Sequence, residues 1–179
     1  MHAGEASGRR RRITPVEVIV LGIDPGTANT GYGVVLAHGS KLAALDGGVI
    51  GTDAHEPLER RLTRIHARVC DLIREHAPVA VAVEDLYFGQ NARSAFQVGQ
   101  ARGVIMLCAG LHGLPAYSYT PQVVKQAVCG SGRAEKGQVQ RMVQALLTLE
   151  ELPQPDHAAD ALAVAICHAN GARMRAMVG

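Results

Sequence analysis

The chain has 179 residues, 47% hydrophobic and 19% charged, with a net charge of +2 and four cysteines. That length suits a single domain whose core needs no disulfide support, and the apolar fraction fits a globular protein. No apolar run approaches the roughly 20 residues that span a bilayer, and Met1 to Arg12 lacks the apolar segment of a secretory signal, so a cytosolic protein is expected. Cys70, Cys108, Cys129 and Cys167 are scattered without a C-x-x-C pair, which predicts buried free thiols rather than a zinc site or a redox motif.

In chain order, residues 1–12, with Arg9 to Arg12 together, read as a disordered basic arm. Residues 13–170 are expected to form one domain and residues 171–179 a flexible tail. The β-branched run from Val16 to Ile23 suits a strand covered on both faces, and Asp24 stands at its end. Pro25 and Gly26 make a turn, and Gly31 to Leu36 returns as the second strand of a hairpin. A carboxylate at the tip of a buried strand is costly unless a cation or hydrogen-bond donors compensate its charge. Its plainer reading is a turn carboxylate bonded to nearby backbone N–H groups.

Lys41 to Thr52 reads as a third antiparallel strand. Leu58, Leu62, Ile65, Val69, Leu72 and Ile73 recur at helical spacing, predicting a helix from about Pro57 to His76. Val79 to Val83 is a short buried strand running into Glu84, which repeats the placement of Asp24. Leu86 to Arg93 reads as an irregular loop carrying Tyr87 and Phe88, in a chain only 3% aromatic. Ser94 to Leu111 is helical, and its small residues Ala95, Gly99, Ala101 and Gly103 would admit a second helix closely. A brief strand at Ala116 to Tyr119 is followed by Thr120 as N-cap and Pro121 in the first turn of a helix to about Val128. Beyond the glycine-rich loop Cys129 to Arg133, a helix runs from about Ala134 to Leu149.

The last helix starts near Asp156, and its first turn holds Asp156, His157 and Asp160. Residues three or four apart share a helix face, so His157 with Asp160, or Asp156 with Asp160, could hold a cation. Asp156 alone is better read as an N-cap. Between Leu86 and Leu149, Glu135 is the only acid against Arg93, Arg102, Lys125, Arg133, Lys136 and Arg141. Such a stretch fits a surface that meets phosphates, although an ordinary solvated face would also carry it.

Three antiparallel strands, then helix, strand and further helices, with acids ending the first and fourth strands and on a late helix, resemble the RNase H-like fold. That is an α/β fold with a five-stranded mixed sheet, strands 1–3 antiparallel, flanked by helices on both faces. The motifs GIDPGTANTGYGVV, VEDLYFGQNARSAFQVGQARGVI, YTPQVVKQAVCGSGRAEKGQVQRMV and DHAADALAVAICH resemble those of the RuvC family of bacterial Holliday-junction resolvases, in order from Ile19 to Ala169. The resemblance implies a crossover junction endodeoxyribonuclease of DNA recombination and repair, placing paired symmetric nicks in four-way junctions. It also implies a homodimer, a branch-migration motor of the RuvA and RuvB type as partner, and Mg²⁺ or Mn²⁺, with two ions per site.

Carried over by position, the implied metal ligands and catalytic residues are Asp24, Glu84, His157 and Asp160. His157 stands where the family often has aspartate. An imidazole among oxygen ligands should raise the preference for Mn²⁺ over Mg²⁺. Of 18 basic residues 15 are arginine, yet Lys125 and Lys136 fall where the resemblance puts catalytic lysines. Implied DNA contacts are Tyr87, Phe88, Arg93, Lys125, Arg133 and Lys136, with Tyr87 stacking on an unpaired base and Phe88 as readily filling the core. The helix Ser94 to Leu111 is the expected dimer interface.

Two rival readings follow from the same segments. GIDPGTANTGYG also resembles the first phosphate loop of actin, Hsp70 and sugar-kinase ATPases, but those need a second domain and a second such loop. A non-catalytic junction-binding protein on this scaffold is the other alternative. Competent ligands at all four metal positions argue against it.

Overall fold

The β-branched run and its return form β1 (Glu17–Asp24) and β2 (Asn29–His38), and Lys41–Gly51 follows as β3. Next come α1 (Leu58–His76), β4 (Ala80–Glu84), α2 (Ala92–Leu111), β5 (Ala116–Tyr119), α3 (Pro121–Cys129), α4 (Lys136–Leu147) and α5 (Asp156–Val178). The computed structural model describes residues 17–85 and 92–178, with side chains described over 17–85 and 95–172. The sheet order is β3-β2-β1-β4-β5. β1 to β3 pair antiparallel, whereas β4 pairs parallel with both β1 and β5, giving the expected mixed sheet.

Alternation along the strands divides the core between the two faces of the sheet. Leu21, Ile23, Val34, Val81 and Val83 pack with Ile65, Val69 and Leu72 of α1 and Ile105 of α2. Val20, Val35 and Ala82 pack on the other face with Val124 of α3, Val143 of α4 and Leu162 and Ile166 of α5. Residues 161–169 of α5 are all buried, so this helix is the central element of its layer. Each fully buried Val, Leu or Ile contributes about 1.5–3 kcal/mol.

α5 lies directly on strand backbone because glycines leave it room. A Cβ built on Gly22 would stand 2.1 Å from the Ala161 carbonyl oxygen, and one on Gly31 would stand 1.9 Å from that of His157. These approaches fix the depth and register of the first two turns of α5 over β1 and β2.

Two expectations are corrected. Cys70 and Cys108 are not free thiols but are joined as a disulfide, leaving Cys129 and Cys167 free. α1 and α2 pack side by side on one face and bring the two Cα atoms to 6.1 Å, a proximity that a separation of 38 residues does not announce. The tail expected at 171–179 is helical as far as Val178. Ala, Arg and Met are strong helix formers, and Gly171 costs only about 1 kcal/mol against them. No described helix is long and apolar enough to cross a membrane.

Candidate active site

Asp24 ends β1 on the face of Gly22, and Glu84 ends β4 on the face of Ala82, so both carboxylates look toward α5. The parallel pairing of Ile23 with Val83 sets them side by side. The loop after Asp24 is pinned by polar contacts. Thr30 Oγ1 donates to the Gly26 carbonyl at 2.5 Å, Thr52 Oγ1 to that of Thr27 at 2.5 Å, and Arg61 Nε to Thr52 Oγ1 at 3.0 Å.

α5 supplies the other half of the site. His157 Nδ1 lies 2.7 Å from Asp24 Oδ2. Asp160 sits one turn further along, where Lys136 Nζ is 3.6 Å from its Oδ2 and 3.0 Å from Asp156 Oδ2. Gln140 Nε2 donates to Asp156 Oδ1 at 2.8 Å, so Asp156 is tied to α4. Glu84, Lys125, Lys136 and Asp160, with Val124 and Val139, line a cavity of about 200 Å³.

The electrostatics are those of a crowded anionic cluster. Burial, then the charge of Asp24 and a hydrogen bond with it, push Glu84 up to about 8 from 4.5. Burial also raises Asp160, against the opposing pull of Lys136. Asp156, by contrast, is held below its ordinary value by its hydrogen bond from Lys136. The ammonium of Lys136 therefore leaves the Asp24–Glu84 pair without full compensation. Three carboxylates and one imidazole are an oxygen-rich donor set, and a bound divalent cation would offset the crowding that raises Glu84.

The sequence-predicted residues are thus brought together at Asp24, Glu84, His157, Asp160, Lys125 and Lys136. Arg133 is exposed in the loop between α3 and α4. Arg93 has its backbone in α2, but its side chain, like all of Tyr87 and Phe88, lies outside the described residues. Arg102 faces Asp85 at 3.5 Å. Sequence reading missed Gln140 and the buried Arg61. Arg61 lies four residues before Ile65 on the inner stripe of α1, a spacing that could have found it.

A family model described as "Crossover junction endodeoxyribonuclease RuvC" matches residues 20–168. A protein of that name from Moorella thermoacetica is 56% identical over 158 residues, covering 88% of this chain and 95% of the relative. The solved structure "T. thermophilus RuvC in complex with Holliday junction substrate" superposes with a TM-score of 0.85 at 44% identity, covering 88% of this chain and 96% of that one. A yeast mitochondrial Holliday junction resolvase, Ydc2, shares the fold at 15% identity and a TM-score of 0.62, covering 89% of this chain and 82% of that one.

Proposed function

The chain belongs to the RuvC family of crossover junction endodeoxyribonucleases, and we propose that Asp24, Glu84, His157 and Asp160 hold the divalent ions of its nuclease site. The protein is an endonuclease that resolves Holliday junctions in DNA recombination and repair, by paired symmetric nicks. Nucleases of this family are metal-dependent. The observation that carries the site assignment is the half-buried Asp24–Glu84 pair at adjacent strand ends under the His157–Asp160 turn of α5, crowded enough to raise Glu84 to about 8.

Mg²⁺ or Mn²⁺, two ions per site, fits this set. The ligands arrive from two strand ends and a helix and do not converge on one point. Among the described residues, the groups of three whose ligand atoms all lie within 4.8 Å of one another are elsewhere. When bound, such ions supply a deprotonated water and relieve charge on the leaving 3′-oxygen. The protein's own groups do the rest. Asp24 and Glu84 stay rigid because they end paired strands, and His157 is oriented by its contact with Asp24. Lys136 holds Asp160 in place, and Lys125 offers an ammonium to a phosphate entering the cavity.

Further proposals concern the substrate and partners. Arg93, Arg133, Tyr87 and Phe88 extend the DNA-contacting surface from this cavity, together with Lys125 and Lys136. A two-fold symmetric junction cut at paired positions calls for two sites related by a two-fold axis, hence a homodimer. On α2, Phe96, Leu107 and Leu111 are 69%, 56% and 67% exposed, an apolar surface that supports this helix as the interface. A motor of the RuvA and RuvB type is the expected partner in the cytosol. The deciding experiment compares wild type with Glu84→Gln on a synthetic four-way junction, with and without Mg²⁺. Junction binding should persist while nicking is lost, and nicking that survives either change would refute the assignment.

A further inference from the structure

α1 and α2 face each other, with His66 and Cys70 four residues apart on α1, Cys108 on the facing side of α2 and His112 in the turn just beyond its end. We propose that these residues form a second metal site, a tetrahedral thiolate–imidazole site for Zn²⁺, on the face of the sheet opposite the nuclease centre. An i, i+4 spacing puts His66 and Cys70 on one side of α1. The ligand atoms of His66, Cys70 and Cys108 all lie within 4.8 Å of one another. Cys70 Sγ is 3.6 Å from His66 Nε2, and Cys108 Sγ is 4.0 Å from His112 Nδ1. Zinc bonds of about 2.3 Å to sulfur and 2.0–2.1 Å to nitrogen set a tetrahedral S···N edge of about 3.6 Å. The His66–Cys70 separation matches that edge, while His112 stands beside the three converging ligands with its ring next to Cys108.

The surroundings suit a closed structural site. Cys70 is 5% exposed and Cys108 is fully buried, while the two imidazoles stand toward the outside of the helix pair. His112 Nδ1 is 2.9 Å from the Cys108 carbonyl oxygen, a contact that fixes its ring and leaves Nε2 for an ion. Neither thiolate belongs to the nuclease centre, which contains no sulfur. The disulfide between Cys70 and Cys108 is the oxidised alternative to this site. A dithiol reductant breaks that S–S bond, delivers two electrons and two protons to the sulfurs, and leaves as its own disulfide. Zn²⁺ then displaces the two thiol protons and ties α1 to α2 in place of the covalent bond.

The test uses full-length protein, reduced with a phosphine, stripped of metal and titrated with Co²⁺. Expected are a sulfur-to-cobalt charge-transfer band in the near ultraviolet and intense visible bands of tetrahedral Co²⁺. Both should saturate at one ion per chain and bleach on adding Zn²⁺. Ions at the nuclease centre cannot give the sulfur band. Cys70→Ser should lose it while still nicking junctions with Mg²⁺, and His66→Gln or His112→Gln should weaken Co²⁺ binding about tenfold or more. No sulfur band in the reduced wild type overturns the proposal whatever the variants do. A band that survives in Cys70→Ser overturns it as well.

Discussion

Gly31→Ala tests the link between packing and chemistry. The new methyl carbon would stand 1.9 Å from the His157 carbonyl oxygen and 2.5 Å from its carbonyl carbon. Relieving that contact even to 3.0 Å needs about 1.1 Å of movement. β2 is paired on both sides, by β1 and β3, so the first turn of α5 is what yields. Overpacking of this kind costs about 1–3 kcal/mol of stability. The larger effect falls on the site, because His157 and Asp160 ride on the displaced turn. Mg²⁺ demands near-ideal geometry at about 2.0–2.1 Å, and a 1 Å misplacement costs about 100-fold in rate. The assay is single-turnover nicking of a synthetic four-way junction, below the melting temperature, with circular dichroism as the check on folding. Gly51→Ala is the matched control, since a Cβ there meets nothing within 4 Å. A folded Gly31→Ala protein that nicks within about twofold of wild type would show that the close approach of α5 does not set the ligand geometry.

Three other outcomes are expected. Glu84 has its folded pKa raised from 4.5 to about 8, so the stability it contributes is complete below 4.5 and is lost as pH rises through 8. Metal-free wild type should therefore lose thermal stability relative to Glu84→Gln across that window, and saturating Mg²⁺ should flatten the difference; parallel pH curves for the metal-free proteins would contradict this. His157→Asp should shift activity from Mn²⁺ toward Mg²⁺ in a metal titration, because a carboxylate is the harder ligand, and an unchanged preference would remove the imidazole from the first coordination sphere. Lys125→Ala should lower the single-turnover rate about 100-fold while changing junction affinity little, and a loss confined to affinity would make Lys125 a binding residue only.

Much of this was legible in the sequence because local signals and the fold agree. The hairpin of β1 and β2, the short β4 running into Glu84 and the acidic first turn of α5 could be placed from strand-length apolar runs, turn residues and i, i+3 spacing. What stayed hidden depends on contacts between distant segments. Gly22 and Gly31 read as ordinary strand or turn glycines until α5 is laid across them. Arg61 looks like a surface arginine among Arg60, Arg64 and Arg68, yet its Nε closes the chain of contacts that holds the loop after Asp24. The Cys70–Cys108 pair with its flanking histidines arises only where α1 meets α2, and no C-x-x-C spacing marks it. Lys136 stood out in the sequence as one of three lysines, but its link to both Asp156 and Asp160 required α4 to be set against α5.

The most direct test of the nuclease site is an anomalous difference map from crystals of the full-length protein soaked in Mn²⁺. Peaks are expected between the carboxylates of Asp24, Glu84 and Asp160 and the imidazole of His157, two per chain and about 4 Å apart. An active protein whose Mn²⁺ peaks lie elsewhere, with this cluster empty, would contradict the assignment.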